Sequence, residues 1–317
     1  MSEAGRGALQ LRFHFGERDR CGDRPLDVAV MDACARHGVW AAALLRGVEG
    51  FGASQAMRTD RLLSLSEDAP LVAVAVGERE RIEALAEEVA GLAPTGTPTT
   101  TAAGVGVPVG GSPEDVVRVT IWGPRTGGES PHLRAVDAMY RHGAESATVL
   151  LGVDGVLEGE RRRARFIAGN RGVPAITVAV GEIAAITAAH AELGTVANLV
   201  TFEAVARNCR HATKSRHGAR VTLLTSEATR CDGRPLYLEF IHQLRRGGAA
   251  GATALRGVWG FRGEVAPHGD RALALRRDVP LIVETIDTGE RAGRWLEIAE
   301  SLAGKSDVVC SERIPAV

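Results

Sequence analysis

The sequence predicts an α+β protein built from three tandem copies of one split β-α-β module of roughly a hundred residues. Three observations predict it. Residues 45–51 read Leu-Arg-Gly-Val-Glu-Gly-Phe and residues 255–261 read Leu-Arg-Gly-Val-Trp-Gly-Phe, an offset of 210. That gapless offset also relates Glu17 to Glu227, Arg20-Cys21 to Arg230-Cys231, Arg24-Pro25-Leu26 to Arg234-Pro235-Leu236, Asp60-Arg61 to Asp270-Arg271, and Asp68, Pro70 and Leu71 to Asp278, Pro280 and Leu281. Halfway between lies an eroded copy. Leu150-Leu151-Gly152-Val153-Asp154-Gly155-Val156 keeps the glycines and loses the arginine and phenylalanine, while His142-Gly143 echoes His37-Gly38 and Pro174 echoes Pro70. Within each copy, strand and helix periodicities alternate in the order β-α-β-β-α-β.

In the first copy Leu9, Leu11, Phe13 and Phe15 alternate with Gln10, Arg12 and His14, the pattern of a half-buried strand. Pro25 suits the first turn of a helix, where a missing N–H costs nothing. Leu26, Ala29, Val30, Ala33 and Cys34 follow at helical spacing, and His37-Gly38 ends the helix. Residues 41–48 and 71–76 read as strands. Residues 78–92 read as a second amphipathic helix, with Ile82, Leu85, Ala86 and Val89 on one face. The later copies repeat this order, with strands at 116–122, 146–153, 219–225 and 281–286 and helices at 133–142, 235–246 and 290–302. Closing strands fall at 199–205 and 308–314. The first copy's closing strand is poorly signalled, lost in the charge-free Thr/Gly/Pro-rich segment 94–113, which reads as a flexible linker. The chain thus divides into module 1–93, linker 94–113, degenerate module 114–205, a short basic linker 206–217 and module 218–317.

This order is the ferredoxin-like one, in which helices cover a single sheet face. Residues 71–76 and 175–180 are nearly apolar on both sides, so something must cover the other face. Three copies turning those faces toward a common axis would do so, and the alternating first strand then implies a partly polar interior. From Glu49 to Ala69 the connection runs about twenty residues where hairpins need two to five, the usual mark of a functional loop.

Composition sets bounds on function. The 317 residues are 45% apolar and 24% charged, ordinary for a soluble globular protein. The net charge of −1 offers no pull toward nucleic acid or anionic membrane. Lys214 and Lys305 are the only lysines, so basic anion contacts fall to arginine. No apolar run reaches membrane-helix length and residues 1–7 have no apolar signal core, so a cytoplasmic location is expected. Five scattered cysteines without a C-x-x-C pair fit reduced thiols. His14, His37, His132 and His142 show no metal-ligand spacing, and no nucleophile elbow or paired-carboxylate site stands out. No enzyme activity, metal or obligatory cofactor is expected.

Four motifs carry a family resemblance. Gly16-Glu17-Arg18-Asp19-Arg20, Asp23-Arg24-Pro25-Leu26, Arg46-Gly47-Val48-Glu49-Gly50-Phe51-Gly52 and Ser66-Glu67-Asp68-Ala69-Pro70-Leu71-Val72 resemble the PII-like domain-of-unknown-function family number 190. The third copy carries most of this signature, with Gly260-Phe261-Arg262 in place of Gly-Phe-Gly, and the second copy only its outline. The resemblance implies trimer-forming ferredoxin-like units, here a single-chain pseudo-trimer. It further implies clefts that bind adenine nucleotides, and long loops that touch a transporter or channel, possible targets including a CrcB-type fluoride channel.

Candidate ligand residues follow. Arg46 and Arg256 close apolar strands directly before Gly47 and Gly257, so each guanidinium could fork onto a phosphate or instead pair with a carboxylate such as Glu17 or Asp60. Gly50, Phe51 and Gly52, with Gly260 and Phe261, could shape a loop around a base, though Phe51 alone reads better as a hydrophobic anchor. Asp60, Arg61, Asp270 and Arg271 are candidate partner contacts at the distal end of the loop, and Arg161, Arg162 and Arg163 form a basic run that could dock an acidic partner. If the arginine is required, Leu151 in the second copy leaves one or two sites. The competing readings are a ferredoxin-like barrel enzyme, with His14 as its nameable acid–base group, and a structural adaptor without ligand.

Overall fold

The computed structural model describes residues 7–60, 68–92, 96, 98–126, 130–165, 170–194, 199–207, 218–269 and 278–315. Each repeat forms a four-stranded antiparallel sheet. In the first module the strands are Ala8–Gly16, Ala41–Phe51, Pro70–Glu78 and Thr99–Val105, with helices Leu26–Arg36 and Arg79–Leu92. The second has strands Val116–Pro124, Ser146–Leu157, Pro174–Glu182 and Leu199–Ala204 and helices Pro131–Arg141 and Ile183–Leu193. The third has strands Gly218–Ser226, Ala252–Arg256 continued by Trp259–Arg262, Pro280–Thr288 and Val308–Ile314, and helices Leu236–Arg246 and Gly289–Leu302. In all three the spatial order is closing, opening, third, second strand, a mixed α+β arrangement. No helix among the described residues is long and apolar enough to cross a membrane.

The segment expected as a linker holds the missing strand. Thr99–Val105 pairs with Ala8–Arg12 in its own module and, at Gly104 and Val105, with Phe202 and Thr201 of the second. Its threonines hid it from a hydrophobic count, because this strand faces a polar interior: Thr101 is buried and donates to Glu203 at 2.5 Å.

The second strands are longer than their periodicity predicts, and their extra length leaves the module. Residues 41–46 pair with the first module's third strand, whereas residues 47–51 pair with 252–255 of the third module. Residues 259–262 pair with 146–149 of the second, and 152–157 pair with 41–45 of the first. These three crossings close a ring. The loop expected from Glu49 to Ala69 is therefore partly strand, since 57–59 also pair back onto 49–51.

The crossings explain the repeated glycines. A Cβ on Gly50 would stand 2.5 Å from the Ala252 carbonyl oxygen, one on Gly155 2.2 Å from that of Ala42, and one on Gly260 2.1 Å from that of Ala147. Only glycine permits so close a backbone approach. The residue after each of these glycines anchors in a neighbouring core. Phe51 packs with Leu236 and Phe240 of the third module, Val156 with Leu26 and Val30 of the first, and Phe261 with Val136 and Met139 of the second. Phe261 also meets Tyr140 edge-on at 5.1 Å.

Each pair of helices covers one outer sheet face, and the three inner faces share one interior. Its apolar part joins Val72 and Val74, Trp122 and Ile176, and Leu224 and Ile282 from the three modules. Its polar part is an ionic centre of three buried arginines and three buried glutamates drawn from all three modules. Arg12 pairs with Glu284 at 2.9 Å, Arg118 with Glu312 at 2.9 Å, and Arg220 with Glu312 and, at 3.3 Å, with Glu203. The charges cancel, which is what a buried set of ions requires. This is the origin of the polar alternation in the opening strands.

Candidate functional site

A cleft of about 390 Å³ lies where the first module meets the third. Its inner wall is His14 from the first opening strand, with Thr253 and Glu284 from the third module's sheet. Phe15, Pro70 and Ile286 supply apolar walls, and the exposed turn Gly52-Ala53-Ser54 forms the rim with Arg58 and Gly251.

His14 is the central group. One ring nitrogen, Nδ1, lies 3.2 Å from the Thr253 hydroxyl, while Nε2 is buried without a hydrogen-bond partner. Burial pulls its pKa from 6.5 to about 4; Glu284 opposes this, and Arg12 and Arg220 reinforce it. The imidazole is therefore neutral at neutral pH, a weak base but a capable hydrogen-bond partner on its free edge. Behind it Glu284 accepts from Arg12 Nη1 at 2.9 Å through both carboxylate oxygens. Burial works to raise Glu284, but Arg12, Arg220 and Arg118 outweigh it and hold the carboxyl at about 2. Burial, with repulsion from Arg220, brings Arg12 down to about 10, so it stays charged. Deeper in, the same arginines hold Glu203 low, whereas burial raises its neighbour Glu312.

At the rim Arg58 spans Asp19, at 3.1 Å, and Asp68, at 3.3 Å. Asp19 also accepts from the Gly16 N–H at 2.7 Å. This places one guanidinium beside a glycine-containing turn, with a neutral hydrogen-bonding wall deeper in the cleft.

Phe51 and Gly52 border this cleft. The other residues singled out from the sequence take structural places. Arg46 pairs with Glu17 at 2.9 Å, and Arg256 with Glu227 at 2.8 Å and Asp60 at 3.3 Å. The carboxylate alternative thus describes both arginines, and Asp60 links the first module to the third. In the second module Leu151 replaces the arginine and Arg125 the glutamate, and Arg125 donates to the Gly152 carbonyl at 2.5 Å. Gly47 and Gly257 leave room for neighbours: a Cβ there would stand 2.9 Å from the Ala254 oxygen and 2.5 Å from Thr148 Cγ2 respectively. Gly50, Gly260 and Phe261 serve the ring described above. Arg61, Asp270 and Arg271 lie outside the described residues. The basic run also makes ion pairs within the chain, with Arg161 on Asp154 and Asp32, Arg163 on Asp27 and Arg162 on Glu160.

Sequence reasoning named His14 only for the enzyme reading and missed Thr253, Glu284 and Arg58. One legible signal existed. Glu284 ends the apolar run 280–283 at a position where the other modules have Val74 and Val178.

A family model described as "Uncharacterized ACR" (DUF190) matches residues 8–105 and 218–316, which are the first and third modules. A UPF0166 protein of Aquifex aeolicus (strain VF5) is 32% identical over 77 residues, covering 24% of this chain and 71% of that protein. Among solved structures, aspartate kinase from Synechocystis is 8% identical with a TM-score of 0.30, over 98% of this chain and 52% of that one, so the chain spans about half its length. The regulatory subunit of aspartate kinase from Thermus flavus is 12% identical with a TM-score of 0.24, over 60% of this chain and 94% of that one.

Proposed function

The chain belongs to the DUF190 family, and on that premise we propose that it is a non-catalytic, PII-like regulatory protein acting as a single-chain pseudo-trimer. The ring of strand crossings supports the pseudo-trimer reading. In this reading the cleft between the first and third modules takes a small heteroaromatic ligand with an anionic tail, of the adenine-nucleotide class. The carrying observation is the buried, unpartnered Nε2 of His14 at the cleft wall. A ring nitrogen or amino group of the ligand meets that edge. The anionic tail lies toward the backbone N–H groups of the Gly52-Ala53-Ser54 turn, with Arg58 beside it still held by Asp19 and Asp68. The occupied cleft and its rim then engage a target such as a membrane transporter or channel.

A thermal-shift series with AMP, ADP, ATP and cyclic AMP tests the reading. At ligand concentrations of 100 times Kd the folded state gains about 2.7 kcal/mol. Stabilisation is expected in the wild type and in the Arg46→Ala/Arg256→Ala double variant, and is lost in His14→Leu. No response from any nucleotide would favour a ligand-free adaptor, and loss in the double arginine variant alone would return the site to those arginines.

A further inference from the structure

The three junctions between modules share one register, so their residues can be compared place by place. Phe51, Val156 and Phe261 pair across to Ala252, Ala42 and Ala147, which puts Gly52, Leu157 and Arg262 at one position. His14, Trp122 and Leu224 share a second position, opposite Val72, Ile176 and Ile282 in their own modules.

Each junction fills these positions differently. Between the first and third modules they are His14 and Gly52; a Cβ on Gly52 would meet nothing within 4 Å, and the cleft is open. Between the second and first they are Trp122 and Leu157, and both side chains pack into the central apolar cluster. Between the third and second they are Leu224 and Arg262. Here Arg262 turns inward, its side chain only 12% exposed, with Nε 3.2 Å from Asp307 and Nη2 2.9 Å from the Thr229 hydroxyl. Thr229 stands at the repeat position of Asp19, which borders the open cleft. The arginine spans this space without saturating it. Its Nη1 is buried without a partner, and so is the hydroxyl of Ser146, its strand partner. Ser146 holds the place of Gly251, another residue bordering the open cleft.

We propose that Arg262 closes a latent second cleft between the third and second modules, and that Arg262, not Arg46 or Arg256, limits the number of open clefts. The inference does not depend on which ligand the first cleft takes. Leu224, Thr148 and Val178 replace His14, Thr253 and Glu284 in the latent cleft, so its inner wall suits an apolar ring better than a hydrogen-bonding one.

The test is the reactivity of a thiol introduced by Ser146→Cys toward a small methanethiosulfonate reagent, read peptide by peptide by mass spectrometry. With Arg262 present the introduced thiol is expected to be protected. With Arg262→Gly added it should react at least about tenfold faster, as for a site whose local opening has been made easier. Arg262→Leu, which copies the leucine of the filled junction, should keep it protected. The fully buried Cys34 of the first module is the internal control. Equal rates with Arg262 and with Gly at 262 would overturn the proposal, as would a leucine variant as reactive as the glycine one. Exposure of Cys34 together with the introduced thiol would make Arg262 a general brace and would also overturn it.

Discussion

Replacing Glu284 by valine, the residue at the same place in both other modules, strands Arg12 in the ionic centre. Three buried guanidinium groups would then face two carboxylates rather than three. Removing one partner of a buried ion pair typically costs about 3–5 kcal/mol, because the remaining charge keeps its desolvation penalty. Glu284 borders the cleft, and water entering there can partly solvate Arg12, so the lower end, about 3 kcal/mol, is the expected loss. Adding Arg12→Thr removes the stranded charge and supplies the residue found at the equivalent positions 120 and 222. Such paired replacement is commonly neutral or stabilising, so the double variant should fall within about 1 kcal/mol of the wild type. Urea unfolding of the wild type, both single variants and the double variant forms a complete cycle. The double variant should be less destabilised than the sum of the singles by about 3 kcal/mol or more. A Glu284→Val loss below about 1 kcal/mol, or simple additivity, would refute the view that these two groups depend on each other.

Two further predictions concern pH and ring closure. The folded state holds His14 near 4 and the unfolded chain near 6.5, so the unfolded state binds more protons between these values and stability falls as pH drops from 6.5 to 4. The full shift corresponds to roughly 3 kcal/mol, an upper bound for a group bordering an open cleft. His14→Leu should flatten that part of a melting-temperature profile, and an unchanged slope would contradict the assignment. Gly155→Ala places a Cβ 2.2 Å from the Ala42 oxygen and 2.7 Å from Pro174 Cγ, and is expected to cost at least about 1–3 kcal/mol in thermal unfolding. A melting temperature equal to wild type would show that the strand crossing there has slack.

Much of the fold was legible because the repeat carries it. The 210-residue offset aligns residues 17–71 with 227–281 without a gap, and the alternation of Leu9, Leu11, Phe13 and Phe15 announces a strand whose one face meets helices. The polar face of that strand pointed to a polar interior, and Arg12, with Arg118 and Arg220 in the other opening strands, bears this out. Thr99–Val105 was not legible. Its threonines and alanines pair with Ala8–Arg12 far back in the same module, and the Thr101 hydroxyl and the end at Gly104-Val105 find partners in the second, none of which a local periodicity reports. The site was read only in part. Arg46 and Arg256 looked like anion ligands because an arginine before a glycine at a strand end fits a phosphate, but Glu17 and Glu227 lie 29 residues upstream of them and take the guanidinium groups.

By itself the sequence determined the three modules, their β-α-β-β-α-β order and most of the outer cores, since these rest mainly on contacts within each repeat and on local hydrophobic period. Only the tertiary structure decided which strand ends cross to which neighbour, which charges meet in the centre, and which side chains fill each junction. At one shared junction position stand Gly52, Leu157 and Arg262, and the space around each is set by the neighbouring module. A hydrophobic pattern records which face of a strand is buried, but not what volume remains beside it.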